Sequence, residues 1–492
     1  MTKHLDIDTK AMRTKILDLA IRGKLTDQRH EDGNARDLLK AIQAEKERLI
    51  KEKKIKKEKP LPEITEGEKP FDIPDNWEWV RLGDIAQAIN GDRGKNYPKR
   101  EEYVSSGIAW INTGHITDDG YLNADKMNYI TRDKYDSLRS GKIQRNDLLF
   151  CLRGSFGKVA RIEPFCEGAI ASSLAIIRLF DTALRKYLFI YLKSPQAVNE
   201  LNKYANGTAQ PNLAAKDVLK YLIPLPPLAE QQRIADKVSA LFAQLDVIDK
   251  AYEKYRELQQ AMKAKLLELA MQGKLTDQRD EDGNARDLFQ DIKEEKQRLI
   301  AEKKIKKEKT LPEIEADETP FEIPKNWMWV RINDLFDVAR GGSPRPIKAF
   351  LTEDMNGINW IKIGDTEIGG KYIYHVKEKI KPEGLKKSRF VKSGDLLLTN
   401  SMSYGRPYIL KTDGCIHDGW LVLSPFVYSL NKEFFYYLIS SQYVKREFTK
   451  TAVGAVVKNL NKNKVKAIII PLPPLAEQKR IVAKLDELLP LL

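Results

Sequence analysis

The side chains that most often carry out catalysis or hold metals are few and scattered in this sequence. None of the three cysteines belongs to a Cys-x-x-Cys pair or has a histidine at zinc-site spacing, so neither a zinc site nor a disulfide framework is predicted. The five histidines also lack the spacing of a metal site or a catalytic triad. We expect the cysteines to be core thiols and the histidines to be surface, core or contact residues. These residues are Cys151, Cys166, Cys415, His4, His30, His115, His375 and His417.

The sequence also lacks the glycine-rich motifs that bind phosphates and cofactors. There is no Gly-x4-Gly-Lys-Ser/Thr loop, and GDRGKN at 91–96 does not fit that motif. The twice-used PLPPLAEQ has leucine before its proline pair, where adenine methyltransferases carry aspartate or asparagine, so a strand-to-helix joint is the favoured interpretation. The chain is therefore predicted to have no active site and to bind no cofactor or metal itself.

Length and charge point to several domains and an acidic partner. The 492 residues include 84 Lys and Arg against 70 Asp and Glu, for a net charge of +14. The Lys-rich segments 51–59 and 301–309 carry half of that excess, and in such Lys/Glu runs a solvated helix face is the favoured interpretation. No run approaches the roughly 18 apolar residues of a membrane span, and the N-terminal residues do not resemble a signal peptide. We expect a cytoplasmic protein that has no contact with a membrane.

Internal repetition is the strongest signal in the sequence. The sixteen residues 23–38 return at 273–288 with one difference, so the offset between the copies is 250. NWEWVR at 76–81 returns as NWMWVR, and IPLPPLAEQQRI at 223–234 returns as IPLPPLAEQKRI at the slightly smaller offset of 247. Two long units therefore follow one another along the chain.

Two variable segments lie between these near-identical blocks. Residues 77–222 and 327–469 share apolar and glycine positions but differ in their polar side chains. The paired stretches are 109–116 with 359–366, 146–158 with 394–406, and 207–213 with 454–460. Drift after duplication would not leave the flanking blocks so alike. We therefore interpret the segments as two recognition modules on a shared scaffold, and we call them the first head and the second head.

The scaffold blocks have helical periodicity. From Glu230 to about Met271 apolar residues step by threes and fours without proline or glycine, which predicts a coiled-coil seam about 60 Å long. Apolar residues at the C-terminus repeat the first half of this seam, and apolar residues at the N-terminus repeat the second half. The two ends are therefore predicted to pair antiparallel with the central helix. A second amphipathic stretch, 36–57, is copied at 286–307 and predicts a helical arm in each unit.

The predicted fold class is α/β (α+β). Two mixed α/β heads are separated by a long antiparallel two-helix coiled coil. The internal duplication relates the two halves of the chain by a pseudo-two-fold symmetry axis. Each head combines strand-like runs such as DLLFCL with later helix-like runs. The predicted domains are 1–75 (helix, arm and connector), 76–224 (first head), 225–325 (central helix, arm and connector), 326–471 (second head) and 472–492 (C-terminal helix).

These blocks resemble the specificity subunit of type I restriction-modification systems over essentially the whole chain. The resemblance rests on KILDLAIRGKLT and KLLELAMQGKLT, the two NWxWVR copies, WINTGHI and WIKIGDT, LLFCLRGSFGK and LLLTNSMSYGR, and both copies of PLPPLAEQ. It implies two target recognition domains, each of which reads half of an asymmetric bipartite site in double-stranded DNA. It also implies two adenine methyltransferase subunits that bind S-adenosylmethionine, and motor-nuclease subunits that use ATP and Mg²⁺ for cleavage. This chain itself would be non-catalytic, and its C-terminal helix is shorter than the central copy.

The resemblance implies that variable polar residues of the heads contact bases and phosphates. Arg153 is the candidate for a guanine edge, and Gln210 or Asn212 for adenine. Gly157 and Gly405 are expected to permit tight turns. The first-head candidates are Asn112, Thr113, His115, Arg153, Ser155, Lys158, Gln210 and Asn212. The second-head candidates are Lys362, Asp365, Asn400, Ser401, Ser403, Tyr404, Arg406 and Asn459, with Ile363 and Val457 at further matching positions.

The implied mechanism is recognition without bond-making chemistry. The heads would dock in successive major-groove faces about 34 Å apart, and the length of the helical spacer would set the gap in the target. Partner methyltransferases would flip an adenine out of each half-site to reach its N6.

Two alternatives stay open from the sequence. A coiled-coil nucleic-acid adaptor without sequence preference, for example for RNA, fits the Lys-rich segments but does not explain two dissimilar heads. A self-sufficient methyltransferase or nuclease lacks its motifs, and methyl transfer by the chain alone would support it.

Overall fold

The chain folds into two units of mixed helices and strands that follow closely related orders. This computed structural model describes residues 7–492 except 156, 206–211, 368, 401–404 and 452–459. The division between the two units falls between Tyr252 and Glu253, within one continuous helix.

The first unit runs from the N-terminal helix into the long central helix. Its helices are α1 (Thr9–Ile21), α2 (Ala35–Lys51), α3 (Leu82–Ile85), α4 (Arg132–Ser137), α5 (Arg185–Leu192), α6 (Pro195–Tyr204), α7 (Ala215–Val218) and α8 (Leu228–Met271), whose second half belongs to the second unit. Its strands are β1 (Glu78–Arg81), β2 (Ala86–Asn90), β3 (Ile108–Ile111), β4 (Asn128–Ile130), β5 (Leu148–Cys151), β6 (Val159–Arg161), β7 (Gly168–Ile170), β8 (Leu174–Leu179) and β9 (Leu222–Leu225).

The second unit repeats this plan with additional short strands. Its further helices are α9 (Ala285–Ala301), α10 (Ile332–Leu335), α11 (Lys432–Ser440), α12 (Gln442–Thr451), α13 (Lys462–Ala467) and α14 (Leu475–Leu488). Its strands are β10 (Met328–Arg331), β11 (Phe336–Arg340), β12 (Leu351–Thr352), β13 (Ile358–Ile361), β14 (Tyr372–Ile373), β15 (Glu378–Ile380), β16 (Arg389–Val391), β17 (Leu396–Thr399), β18 (Pro407–Leu410), β19 (Gly414–Ile416), β20 (Trp420–Pro425) and β21 (Ile469–Leu472). PLPPLAEQ joins β9 to α8 and β21 to α14, so its prediction as a strand-to-helix joint is confirmed.

The first head is a sheet with helices on one face and a second sheet on the other. The main sheet has the antiparallel order β2-β8-β5-β6, and the smaller sheet has the order β4-β3-β7. Side chains alternate along β5, because Leu148 and Phe150 pack with α5 while Leu149 and Cys151 pack with the smaller sheet. Both faces of β5 are covered, which explains its continuous apolar sequence.

The second head has the same layers with two five-stranded sheets. Their orders are β11-β20-β17-β18-β14 and β12-β15-β13-β19-β16. Leu396 and Leu398 pack with Phe434 of α11, while Leu397 packs with Ile361 of the other sheet. The prediction of two mixed α/β heads is confirmed. A two-stranded ribbon, β1-β9 or β10-β21, connects each head to its helices.

In the first unit, α8 runs antiparallel to α1. Thr9, at the start of α1, donates from Oγ1 to Asp249 Oδ1 at 2.6 Å. Thr26, which follows the end of α1, donates to Glu230 Oε1 at 3.1 Å near the start of α8. Residue numbers therefore rise along one helix as they fall along the other.

In the second unit, α8 runs antiparallel to α14. Gln259 donates to the carbonyl of Leu492, whereas Gln278, beyond the end of α8, donates to Glu477 Oε1 at 2.6 Å near the start of α14. The central helix therefore has a partner helix from each end of the sequence, and the predicted antiparallel pairing is confirmed.

A buried carboxylate joins α8 to the first head. Glu230 is fully buried and accepts hydrogen bonds from Trp77 Nε1 at 2.7 Å, Gln28 Nε2 at 2.6 Å and Thr26 Oγ1 at 3.1 Å. Burial raises the pKa of Glu230, and the three donors oppose that shift. We call this group the carboxylate clasp. The second unit repeats it with Glu477, Trp327, Gln278 and Thr276.

An ion pair lies next to each clasp. Arg233 donates to both carboxylate oxygens of Asp32, with 2.6 Å between Nη2 and Oδ2, and Arg480 repeats the contact with Asp282. Only 3% of the Asp32 side chain is exposed. In both units the clasp joins the GKLTDQR block to the PLPPLAEQ block, and the ion pair joins residues that follow these two blocks, across about 200 residues of chain.

Replacing Asp32 with asparagine is expected to lower the free energy of unfolding of the first unit by about 2 kcal/mol near pH 7. The hydrogen bonds from Arg233 hold the pKa of Asp32 below its ordinary value. A carboxyl with a lowered folded-state pKa contributes stability above its unfolded pKa, and this contribution is lost as the pH falls through the folded pKa. The deficit should therefore shrink as the pH falls below about 4, as measured by urea unfolding. A deficit that is constant with pH, or one of equal size for the exposed Asp37→Asn control, would contradict this expectation.

Two local predictions are wrong. The arms were predicted over 36–57 and 286–307, but α2 and α9 end several residues earlier. Lys53 and Lys303 adopt φ +56°, and this left-handed conformation ends a helix. Cys166 is exposed because it lies in the turn between β6 and β7, whereas Cys151 and Cys415 are buried as expected. Among the described residues, no helix is both long and apolar enough to cross a membrane.

Candidate nucleic-acid interface

The two heads build their candidate loops on one backbone frame. In the first head, Cys151 N donates to Lys158 O at 2.8 Å, and Leu213 N donates to Leu152 O at 3.2 Å. The equivalent bonds in the second head join Thr399 to Arg406 at 3.0 Å and Leu460 to Asn400 at 3.1 Å. Gly157 and Gly405 have φ +77° and +80°, so the predicted tight turns are confirmed. Different side chains are therefore displayed from the same scaffold.

The first head brings Arg153 and Asn212 together. Arg153 Nε donates to Asn212 Oδ1 at 2.9 Å, and both residues are exposed. Thr113 lies beside Gly154, so the loop after β3 adjoins the loop after β5. Lys158 Nζ is 2.5 Å from the Asp118 carboxylate, and this exposed pair must separate if Lys158 is to contact a phosphate. Ser155 is half-buried, and Gln210 lies outside the described residues.

Asn112 and His115 hold the turn that follows β3. Asn112 Oδ1 accepts from Gly114 N at 2.8 Å, and His115 Nδ1 accepts from Asn112 N at 3.1 Å. His115 is only 5% exposed, and burial lowers its pKa, which favours the neutral imidazole. Both residues remain predicted contacts, but the atoms named here already support the turn.

The equivalent turn of the second head carries charged side chains, Lys362 and Asp365, where the first head has Asn112 and His115. Asp365 Oδ2 accepts from Lys362 N at 2.8 Å, which replaces the bond that His115 accepts in the first head. Lys362 Nζ is 2.5 Å from Glu378 Oε1. These two candidates are half-buried and lie next to each other.

Asn400 and Arg406 differ in accessibility. Asn400 is 1% exposed because its backbone connects Gly419 with Leu460, and its Oδ1 has no partner among the described residues. Arg406 is exposed, and its N–H donates to Thr399 Oγ1 at 3.0 Å. The candidates outside the described residues are Ser401, Ser403, Tyr404 and Asn459, together with Val457.

Sequence comparison missed Arg93 and Lys216. Both are exposed and line a depression that Arg153 and Asn212 also line. They were missed because the candidates were chosen from stretches in which the two heads are similar, while the loop after β2 differs in most residues from the loop after β11. The basic stretch from Arg93 to Arg100 was the available signal.

Comparison with known families bears on both heads. Residues 74–254 and 324–490 each match the family described as "Type I restriction modification DNA specificity domain". The chain belongs to this DNA specificity family. Its two matched regions contain the two heads, the first part of α8 and α14, whereas α1 lies outside them.

Relatives from Escherichia coli are similar across much of the chain. The specificity subunit of type I restriction enzyme EcoAI is 31% identical over 382 residues, which cover 68% of this chain and 63% of the relative. The EcoEI specificity subunit is 30% identical over 383 residues with the same coverage. The chain therefore spans less than two thirds of the length of these relatives. A chain from a solved type I R-M system shares the fold, with a TM-score of 0.58 at 23% identity, covering 85% of this chain and 91% of that chain.

Proposed function

We propose that this chain reads an asymmetric bipartite site in double-stranded DNA as the specificity subunit of a type I restriction-modification complex. One observation carries the proposal. The specificity family matches both heads, while the exposed side chains differ on one backbone frame. Asn112 corresponds to Lys362, and Arg153 corresponds by sequence to Ser401, so each head offers different donors and acceptors to a major groove.

Arg153 is the best-placed reader of a guanine. Its Nε is engaged by Asn212, which fixes the side chain, while no hydrogen bond within the described chain uses its Nη atoms. A guanidinium can donate two hydrogen bonds to guanine O6 and N7. Asn212, with its amide nitrogen, remains a candidate for adenine.

The chemistry belongs to the proposed partners. Two methyltransferase subunits that bind S-adenosylmethionine would transfer the methyl group to adenine N6, and motor-nuclease subunits with ATP and Mg²⁺ would cleave DNA. This chain selects the adenine and acts in the cytoplasm. The length of α8 would set the gap between the half-sites.

The test is to coexpress the chain with the methyltransferase subunit encoded beside it, in a host without adenine methylation, and to map N6-methyladenine across the genome. We expect one split motif with two unlike halves. A matched variant carries a second copy of residues 76–224 in place of 326–471. Because the units share one plan, this variant should methylate an inverted repeat of the first half-site.

Two outcomes would contradict the proposal. Methylation at one undivided motif would remove the role of the second head. Tight binding with steep salt dependence and no motif would favour the alternative, a nucleic-acid adaptor without sequence preference.

A further inference from the structure

A basic depression of about 320 Å³ lies on the first head, next to the loop that follows β2. Three exposed cations, Arg93, Arg153 and Lys216, line it. None of the three forms an ion pair with a described carboxylate, and no acidic side chain stands among the described residues of the lining. We call this surface the first basic depression.

Several other cations of the first head do have acidic partners, at distances between 2.5 and 2.8 Å. These pairs are Arg132 with Glu167, Lys134 with Glu102, Lys158 with Asp118, Arg178 with Asp147, and Arg185 with Glu163. Three neighbouring positive charges repel one another, and an anion in the depression would remove that repulsion.

The second head does not conserve these cations. Ser343 corresponds to Arg93 and donates to Asp418 Oδ1 at 2.6 Å, and Asn463 corresponds to Lys216. Ser401, at the position of Arg153, lies outside the described residues. An anion site made from the same positions is therefore not available there.

The second head has a basic depression of its own, of about 630 Å³, built from other positions. Its cations are Arg340, Lys386, Lys387 and Arg389. Arg340 Nε donates to the Asp418 carbonyl at 3.1 Å, and none of the four is ion-paired within the described chain. The first head has asparagine, leucine and glycine where the second has Arg340, Lys386 and Arg389, and only the position of Lys387 carries a cation in both heads, as Arg139 in the first. We call this surface the second basic depression.

We propose that each basic depression holds a phosphodiester of the DNA backbone, through Arg93 and Lys216 in the first head and through Arg340 and Arg389 in the second, which are not at equivalent positions. The inference rests on the proposed function. Arginine and lysine are the side chains that most often bind phosphates, and such contacts fix the register of a protein on the duplex without reading bases. The shared position next to β2 or β11 places both depressions beside the first strand of the main sheet.

The test uses the full chain in complex with its methyltransferase subunits and a duplex that contains the mapped motif. The variant Arg93→Ser with Lys216→Asn carries the residues of the second head. Each phosphate that is no longer neutralised should reduce the slope of log K against log salt by about 1, so the double variant, which removes two cations from one phosphodiester, should lose about 1. The methylated motif should not change. Arg340→Asn with Arg389→Gln should have the same effect from the other head.

Ethylation interference would then locate the contacts. With the wild-type complex, ethylated phosphates in both half-sites should weaken binding. Each double variant should lose this sensitivity only in the half-site of its own head. Lys57→Asn with Lys306→Asn removes two charges from the Lys-rich segments and serves as the matched control.

The outcomes separate this inference from the proposed function. If the wild-type complex binds its motif but neither double variant changes the salt slope or the interference pattern, the phosphodiester contacts are refuted while the function stands. An equal loss of slope in the control would also overturn them, because net charge alone would then be responsible. If the wild-type complex shows no motif, the proposed function itself fails.

Discussion

Replacing Glu230 with alanine is expected to lower the free energy of unfolding of the first unit by about 3–5 kcal/mol. The change removes the acceptor of three hydrogen bonds in a fully buried position. The indole N–H of Trp77 is buried with it, so water cannot replace the lost carboxylate without opening the joint between α8 and the first head. The two polar donors of the GKLTDQR block would lose their partner as well.

Calorimetry and urea unfolding of the full chain would measure this effect. Glu477→Ala should destabilise the second unit to the same degree, because its clasp has the same donors. Glu230→Gln is the control for shape. Glutamine keeps one acceptor oxygen but turns an NH2 group toward a donor. We therefore expect its free energy of unfolding to lie between those of the wild type and Glu230→Ala.

The pH dependence gives this prediction a second readout. Burial raises the pKa of Glu230, so the protonated carboxyl favours the folded state at low pH, and that contribution is lost as the pH rises through the folded pKa. The deficit of Glu230→Ala should therefore shrink with rising pH, opposite in direction to that of Asp32→Asn. If Glu230→Ala lowered the free energy of unfolding by less than about 1 kcal/mol at every pH, the clasp would not be needed for stability.

The scaffold could be predicted because its signals are local and occur twice. Ile234, Val238 and Leu245 follow the helical repeat, and all three are buried. The same repeat fails at Tyr255 and Met262, which are 48% and 52% exposed. The partner helices account for Tyr255, since it lies between Asp249, which Thr9 of α1 contacts, and Gln259, which contacts Leu492 at the C-terminus.

The polar sites could not be predicted with the same success. Glu230 and Thr26 are 204 positions apart, and no periodicity relates them. Their repetition in both units was the available signal. Asn400 was chosen from its polar type and its loop, but its backbone bonds to Gly419 and Leu460 bury it. Arg93 and Lys216 become neighbours of Arg153 only through the fold.

A second large effect is expected from Gly341→Ala, at the start of the loop that follows β11. A methyl group on Gly341 would overlap the carbonyl oxygen of His417, which belongs to a backbone that cannot rotate away. Gly341 N also donates to the Trp420 carbonyl at 3.0 Å, so the chain is held on both sides. We expect a loss of about 3 kcal/mol in the stability of the second unit.

The same substitution should weaken DNA binding through the second head. Arg340 precedes Gly341 directly and lines the second basic depression, so a shift of this backbone moves a proposed phosphate contact. Gly67→Ala, in the connector outside both heads, is the control, because no atom lies within 4 Å of its added methyl group, and its effect on stability should stay within about 0.5 kcal/mol. Urea unfolding and binding to the mapped duplex should therefore separate the two alanine variants. If the two alanine variants had the same stability and the same affinity for the duplex, the contact between Gly341 and His417 would not constrain this loop.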